Sequence, residues 1–217
     1  MHKSIANLSF IKDQIKTKFS LIDHPKIIAV SKTFPMTEIE PLLKHGHHHF
    51  GENKIQEAIN KWTNVKNDFE NVKLHMIGKL QSNKAKFLLP LFDYLHSLDN
   101  IKLAEKISNE QQKQKKRIKI FIQVNIGNEL QKNGIQLNEL ENFYNICINK
   151  LDLNIIGLMC LPPDKEDAKP YFKKMKELNQ LLGLKELSMG MSSDYLDAIE
   201  LGSSFVRIGS KIFGNRD

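Results

Sequence analysis

The sequence predicts a single-domain α/β protein, a (β/α)8 barrel of the TIM type preceded by an N-terminal helix. Three observations lead there: eight short apolar or β-branched runs recur along the 217 residues, segments of helical period separate them, and glycine and polar residues gather where the runs end. Strands that alternate with helices pair in parallel, and eight such units in a chain of this length close into a compact barrel. An open doubly wound sheet is the rival, but no GxGxxG follows any of the runs.

The elements follow in order. "MHKSIANLSFIKDQIKTKF" has apolar residues at helical spacing and the acidic Asp13, so it resembles an amphipathic helix and neither a secretory signal nor a transit peptide. The strand candidates are IIAVS (27–31), HHHFG (47–51), VKLHMIG (72–78), DYLHSLD (93–99), IKIFIQVNI (118–126), LNIIGLMCL (153–161), ELSMG (186–190) and SFVRIG (204–209). Helix-like segments lie near 36–45, 53–67, 81–89, 100–115, 136–149, 165–182 and 193–201. No stretch has the composition of a linker, so residues 1–217 are expected to form one domain.

Charge and cysteine usage narrow the setting. With 32 Lys and Arg against 25 Asp and Glu, the net charge of +7 suits an anionic partner, a nucleic acid or a phosphorylated small molecule. Cys147 and Cys160 have no metal-type spacing and are too sparse for a disulfide framework, which points to a reducing, cytoplasmic location. No apolar run reaches membrane-spanning length, so no membrane partner is expected.

In such a barrel the chemistry sits where strands end. Lys32 ends the first run, "GEN" (51–53) the second, "GMSS" (190–193) follows the seventh and "RIGS" (207–210) ends the eighth. The last two turns each run from a strand into glycine and then serine. Glycine lets a backbone approach an anion, and serine donates a hydroxyl. Ser192, Gly209 and Ser210 are therefore candidate phosphate donors, the alternative being that Ser192 or Ser193 merely caps the helix that starts near Asp194. With a period of two, Ile28, Val30 and Lys32 share a strand face, so a barrel filled by Ile28 and Val30 carries Lys32 into its mouth. An amine in low-dielectric surroundings loses proton affinity and can condense with a carbonyl. Lysine plus phosphate turns leaves two candidates, a Schiff-base sugar-phosphate aldolase or a pyridoxal phosphate binder.

The ordered motifs "AVSKTFP", "HFGENKIQEAINKW", "HMIGKLQSNK", "GIQLNEL", "IIGLMCLPP" and "LSMGMSSDYLDAIELGSSFVRIGSKIFG" resemble the pyridoxal phosphate homeostasis protein family, whose members have one barrel like the N-terminal domain of alanine racemase. The match runs from about Ile27 to Gly214. The resemblance implies that Lys32 of "AVSKT" holds pyridoxal 5'-phosphate (PLP) as an internal aldimine. It further implies that Asn53 of "FGEN" contacts the ring's phenolic oxygen, that Ser192, Gly209 and Ser210 take the phosphate, and that Arg207 of "VRIG" faces the pyridine nitrogen. It also implies a carrier and regulator of PLP supply, acting on amino-acid and keto-acid balance without catalytic turnover, with PLP-dependent apoenzymes as partners and a monomeric chain. An amino-acid racemase or lyase is the alternative, and it needs a second proton-transfer group. Where relatives have "KSG" this chain has Asn133, and where many have "GTAIFG" it has "GSKIFG" with Lys211.

Two conspicuous patterns are set aside. "HGHHHF" brings His45, His47, His48 and His49 together, but no carboxylate or cysteine completes a metal-ligand spacing, and a solvated strand start is expected. "QQKQKKR" (111–117) is basic but lacks aromatic interleaving and sits where a helix ends, so no nucleic-acid function is expected. His75 is expected as a satisfied core histidine, and Trp62 as packing against the barrel.

Overall fold

Eight parallel strands close on themselves in sequence order: β1 (Lys26–Val30), β2 (His49–Glu52), β3 (Lys73–Met76), β4 (Tyr94–Leu98), β5 (Lys119–Val124), β6 (Ile155–Cys160), β7 (Glu186–Ser188) and β8 (Phe205–Ile208). The computed structural model describes residues 1–20, 24–129 and 131–214. Closure is made by β8 against β1, in register from Lys26 opposite Phe205 to Ala29 opposite Ile208. A strand buried on both faces needs apolar residues at nearly every position, and β1 has them. Ile28 joins Tyr94, Phe121, Met159 and Phe205 inside the barrel, while Ile27 and Ala29 pack outward beneath the helices. The large side chains among these, Ile27, Ile28, Phe121, Met159 and Phe205, each contribute roughly 1.5–3 kcal/mol by leaving water.

Helices fill the connections, with two departures from a regular pattern. The segment expected at 81–89 is a 3-10 helix, Ser82–Phe87, followed by the short turn Leu88–Leu91. Pro90 within that turn has no N–H to extend a regular helix. The segment expected at 136–149 begins later, at Leu140, and its last turn, Ile146–Lys150, widens to a π-helix. The N-terminal helix, Lys3–Lys18, buries Ser4, Leu8, Ile11 and Ile15, one stripe of a 3.6-residue period. It is tied to the end of the chain where Asn7 donates to the Ile212 carbonyl at 2.9 Å, and to the Tyr195 hydroxyl through Gln14 Oε1 at 2.6 Å.

Among the described residues no helix is long and apolar enough to cross a membrane. Both cysteines are free and buried, and burial raises each thiol to about 12. Both ends of the basic run are tied to the fold, while most of it is exposed. Gln111 Oε1 accepts from the Ile118 N–H at 3.1 Å, and Arg117 pairs with Asp152 through both carboxylate oxygens.

Candidate functional site

The six residues singled out in the sequence all line one cavity of about 830 Å³ at the C-terminal ends of the strands: Lys32, Asn53, Ser192, Arg207, Gly209 and Ser210. Its remaining wall includes Val30, Ile77, Leu161 and Met191, apolar residues that lie within the quoted motifs without being singled out there as ligand contacts. They too sit at or just beyond strand ends.

Lys32 stands two residues past β1, and the backbone turns sharply after it. Thr33 has φ +69°, an unusual conformation for a β-branched residue, costing about 1–3 kcal/mol. A helix across the turn offsets this, because Glu57 Oε1 accepts the Thr33 N–H at 2.6 Å and the Lys61 ammonium at 3.0 Å. Burial opposes the charge on Glu57, but the bonds from Thr33 and Lys61 outweigh it and hold the carboxyl below its usual range. The turn that follows Lys32 is thus braced.

Asn53 is placed by its neighbours in "GEN". The Glu52 carboxylate is fully buried and gathers three donors on Oε1: Ser31 Oγ at 2.7 Å, Trp62 Nε1 at 2.9 Å and Lys61 Nζ at 3.0 Å. It therefore clamps the end of β1, just before Lys32, to the end of β2 and to the helix Ile55–Trp62. Gly78 closes the other side, since a Cβ there would stand 2.2 Å from the Asn53 carbonyl oxygen. Replacing Glu52 with alanine leaves buried donors without an acceptor and is expected to cost roughly 3 kcal/mol, readable by urea denaturation. A change below about 0.5 kcal/mol, the range of ordinary surface substitutions, would contradict the clamp.

The turns after β7 and β8 meet at the far wall. Gly190 opens the first with φ +89°, and a Cβ there would come within 2.5 Å of the Ala198 Cβ. Asp194 Oδ1 accepts the Met191 N–H at 2.6 Å, so the short helix Tyr195–Glu200 is entered through Asp194, and neither Ser192 nor Ser193 caps it. Ser192 instead accepts the Lys211 N–H at 3.5 Å, which brings the two turns side by side. Lys211 itself extends over the Tyr195 ring, 5.0 Å from its centroid. Asn133 Oδ1 accepts from Lys79 Nζ at 2.6 Å, joining the loops after β3 and β5.

Arg207 is buried, and burial lowers its proton affinity below that of an ordinary guanidinium. Nη1 donates to Ser188 Oγ at 2.6 Å and Nη2 to the Cys160 carbonyl at 2.9 Å. Two of its five N–H groups are thus anchored in the barrel wall while the residue lines the cavity. Chemically the cavity offers an amine on one side, a fixed cation on another, and hydroxyls beside backbone N–H groups between them. This set suits a small ligand that is anionic at one end and carries a carbonyl.

The histidine cluster differs from expectation in part, since His45 and His48 are exposed but His47 is not. Rather than a solvated strand start, His47 is buried, with Nε2 2.9 Å from the His49 carbonyl and its ring edge-on to Phe50. His75 is the satisfied core histidine expected, and His96, which no motif marks, is buried beside it. Both occupy inward positions, a parity that follows from alternation along β3 and β4 once the barrel is assumed. Trp62 packs on Phe50, with ring centroids 5.0 Å apart.

Fold and cavity together define a barrel of the class found at the N-terminus of alanine racemase, and residues 6–217 match the family model "Alanine racemase, N-terminal domain". Within that class the chain belongs to the pyridoxal phosphate homeostasis protein family. It is 37% identical over 201 residues to the family's protein from Aquifex aeolicus, covering 88% of this chain and 87% of that one. To the Pasteurella multocida protein it is 34% identical over 225 residues, covering 97% of each chain. Among solved structures it resembles PipY of Synechococcus elongatus PCC7942 with PLP bound, at 31% identity and a TM-score of 0.86, covering 97% of this chain and all of that one.

Proposed function

We propose that this chain binds PLP in the cavity, carries it as a Schiff base on Lys32, and takes part in intracellular PLP homeostasis, with effects on amino-acid and keto-acid balance. The observation that carries the proposal is the convergence of Lys32, Arg207 and the Ser192 and Gly209–Ser210 turns on one cavity of about 830 Å³. A volume of this order is typical of small-molecule pockets. Family membership and the PLP-bound PipY support the same ligand.

Each residue then has a role set by its chemistry. Lys32 supplies the amine, Asn53 a donor for the phenolic oxygen, and Ser192, Gly209 and Ser210 hydroxyl and backbone donors for the phosphate. Arg207 places a permanent cation by the pyridine nitrogen and disfavours its protonation. PLP supplies an electron-withdrawing ring, and this cation weakens that capacity. The ionisable side chains on the cavity wall, among the described residues, are Lys32 and Arg207, so a racemase or lyase would need its second acid or base from elsewhere. A cytoplasmic monomer that holds PLP and hands it to apoenzymes is the function this composition supports.

The test compares PLP with pyridoxal, which lacks the phosphate. Wild-type protein should bind PLP far more tightly. Ser210→Ala should weaken PLP about tenfold, the loss of one hydrogen bond to a charged group, and leave pyridoxal unchanged. Equal losses for both ligands would contradict the phosphate assignment, and no preference for PLP in the wild type would contradict the function.

A further inference from the structure

Three imidazoles inside the barrel form a continuous hydrogen-bonded chain that ends on the arginine of the cavity. Nδ1 of His49 lies 2.9 Å from Nε2 of His75, and Nδ1 of His75 lies 2.9 Å from Nε2 of His96. Nδ1 of His96 lies 2.8 Å from Ser188 Oγ, which accepts from Arg207 Nη1 at 2.6 Å. The links come from β2, β3, β4, β7 and β8, so the chain crosses the barrel interior. His75, His96 and Ser188 are wholly buried. At the far end His49 lines a separate cavity of about 410 Å³, with Lys12, Lys16, His24, His47 and His48.

The arginine biases the direction of this chain. A guanidinium only donates, so Ser188 Oγ accepts from Arg207, and the polarity that also uses the serine's own proton sends it to His96 Nδ1. His96 then carries its proton on Nε2 and donates to His75 Nδ1, and His75 donates in the same sense to His49. In that polarity all three rings are Nε2–H tautomers, and every hydrogen points away from Arg207. The surroundings favour neutral rings. His75 stacks on Tyr94 at 4.3 Å between centroids, and His96 stacks on Phe121 at 4.4 Å. Burial foremost, and then the neighbouring charges, lower the proton affinity of each: His96 and His49 act on His75, Arg207 on His96, and Lys26 on His49, with Lys73 adding to this and Asp93 opposing it.

A barrel interior is normally filled with apolar side chains, and three buried imidazoles cost desolvation that a packing role would not require. Hydrogen bonds in a low-dielectric chain polarise one another, by about 10–30% per bond, so Ser188 Oγ becomes a stronger acceptor for Arg207 as its own proton is drawn toward His96. We propose that the His49–His75–His96–Ser188 chain is the positioning device for Arg207, fixing from across the barrel where the guanidinium stands against the ligand ring. The ring's identity rests on the proposed function; the chain's polarity does not. Cutting the chain at His75 strands the buried Nε2–H of His96. The nearest repair is a tautomer switch, which turns His96 Nδ1 into a donor toward Ser188 and makes it compete with Arg207 for the oxygen.

Two measurements test this. Nitrogen-15 NMR of the ligand-free protein at neutral pH should find His49, His75 and His96 protonated at Nε2 and bare at Nδ1. An Nδ1–H tautomer or an imidazolium at His75 or His96 overturns the polarity. The second is the pH titration of the visible imine band in PLP-loaded protein. Ser188→Ala and His75→Phe, which preserves the ring stack on Tyr94, should both raise the imine's titration midpoint by about half a pH unit, threefold in proton affinity, because a less closely held cation repels the imine's proton less. An unchanged midpoint in loaded Ser188→Ala, or in folded, loaded His75→Phe, overturns the positioning role. A wild-type protein that forms no imine would refute the proposed function alone, since the tautomer result is obtained without PLP.

Discussion

Lys32→Ala is expected to abolish the imine absorbance that the proposed Schiff base gives PLP-loaded protein, while leaving the fold intact. Lys32 lies beyond the end of β1, half-buried on the cavity wall, and contributes nothing to the apolar clusters that hold the barrel together. Its loss should therefore leave stability within about 1 kcal/mol of wild type, the range of substitutions away from the core. PLP should still associate weakly through the serine turns and Arg207, so dialysis would detect reversible binding without the covalent band. Wild-type-like imine absorbance in Lys32→Ala would assign the anchor to another amine. A collapsed fold would show that the turn around Thr33 depends on the lysine rather than on Glu57.

Acidification should cost the protein much of its stability between pH 7 and pH 5. Burial foremost, with Lys12 and His49 adding to it, pushes His47 down to about 3, and burial followed by Lys26 pushes His49 to about 4. His75 and His96 are lowered well below 6.5, again mainly by burial. In the unfolded chain these groups return to ordinary values near 6.5. Below that pH the unfolded state binds protons that the folded state refuses, so stability is present above about 6.5 and is lost as pH falls toward the folded values. His47 alone should account for about 2 kcal/mol between pH 7 and pH 5, and the other buried imidazoles act in the same direction. Urea denaturation of ligand-free protein at pH 7, 6 and 5 should give a steadily falling stability. A flat profile over that range would mean that these histidines titrate normally in the folded state.

The parts of this molecule that were legible in the sequence are those governed by local rules. Strands buried on both faces leave continuous apolar runs, so all eight were found, although "VKLHMIG" narrows to Lys73–Met76 because the ladder stops before the chain enters its loop. Lys32 and the two serine turns are visible because a parallel barrel puts its chemistry at strand ends, whereas Asn53 and Arg207 follow only from the family resemblance of "FGEN" and "VRIG". The histidine chain was hidden for the opposite reason. Its links join residues 26, 21, 92 and 19 positions apart, and no local pattern marks them. Only the closed barrel brings β4 across to β7. The expectation of a solvated strand start in "HGHHHF" holds for His45 and His48, which are exposed, but fails for His47 because composition reports polarity, whereas the chain before β2 places His47 against Phe50 and inside the packing.

The most direct measurement is borohydride reduction of PLP-loaded wild-type protein followed by peptide mapping. The account predicts one pyridoxyl group, on the peptide that carries Lys32. Label on any other lysine, or none after loading, would contradict the central claim that this cavity holds PLP through Lys32.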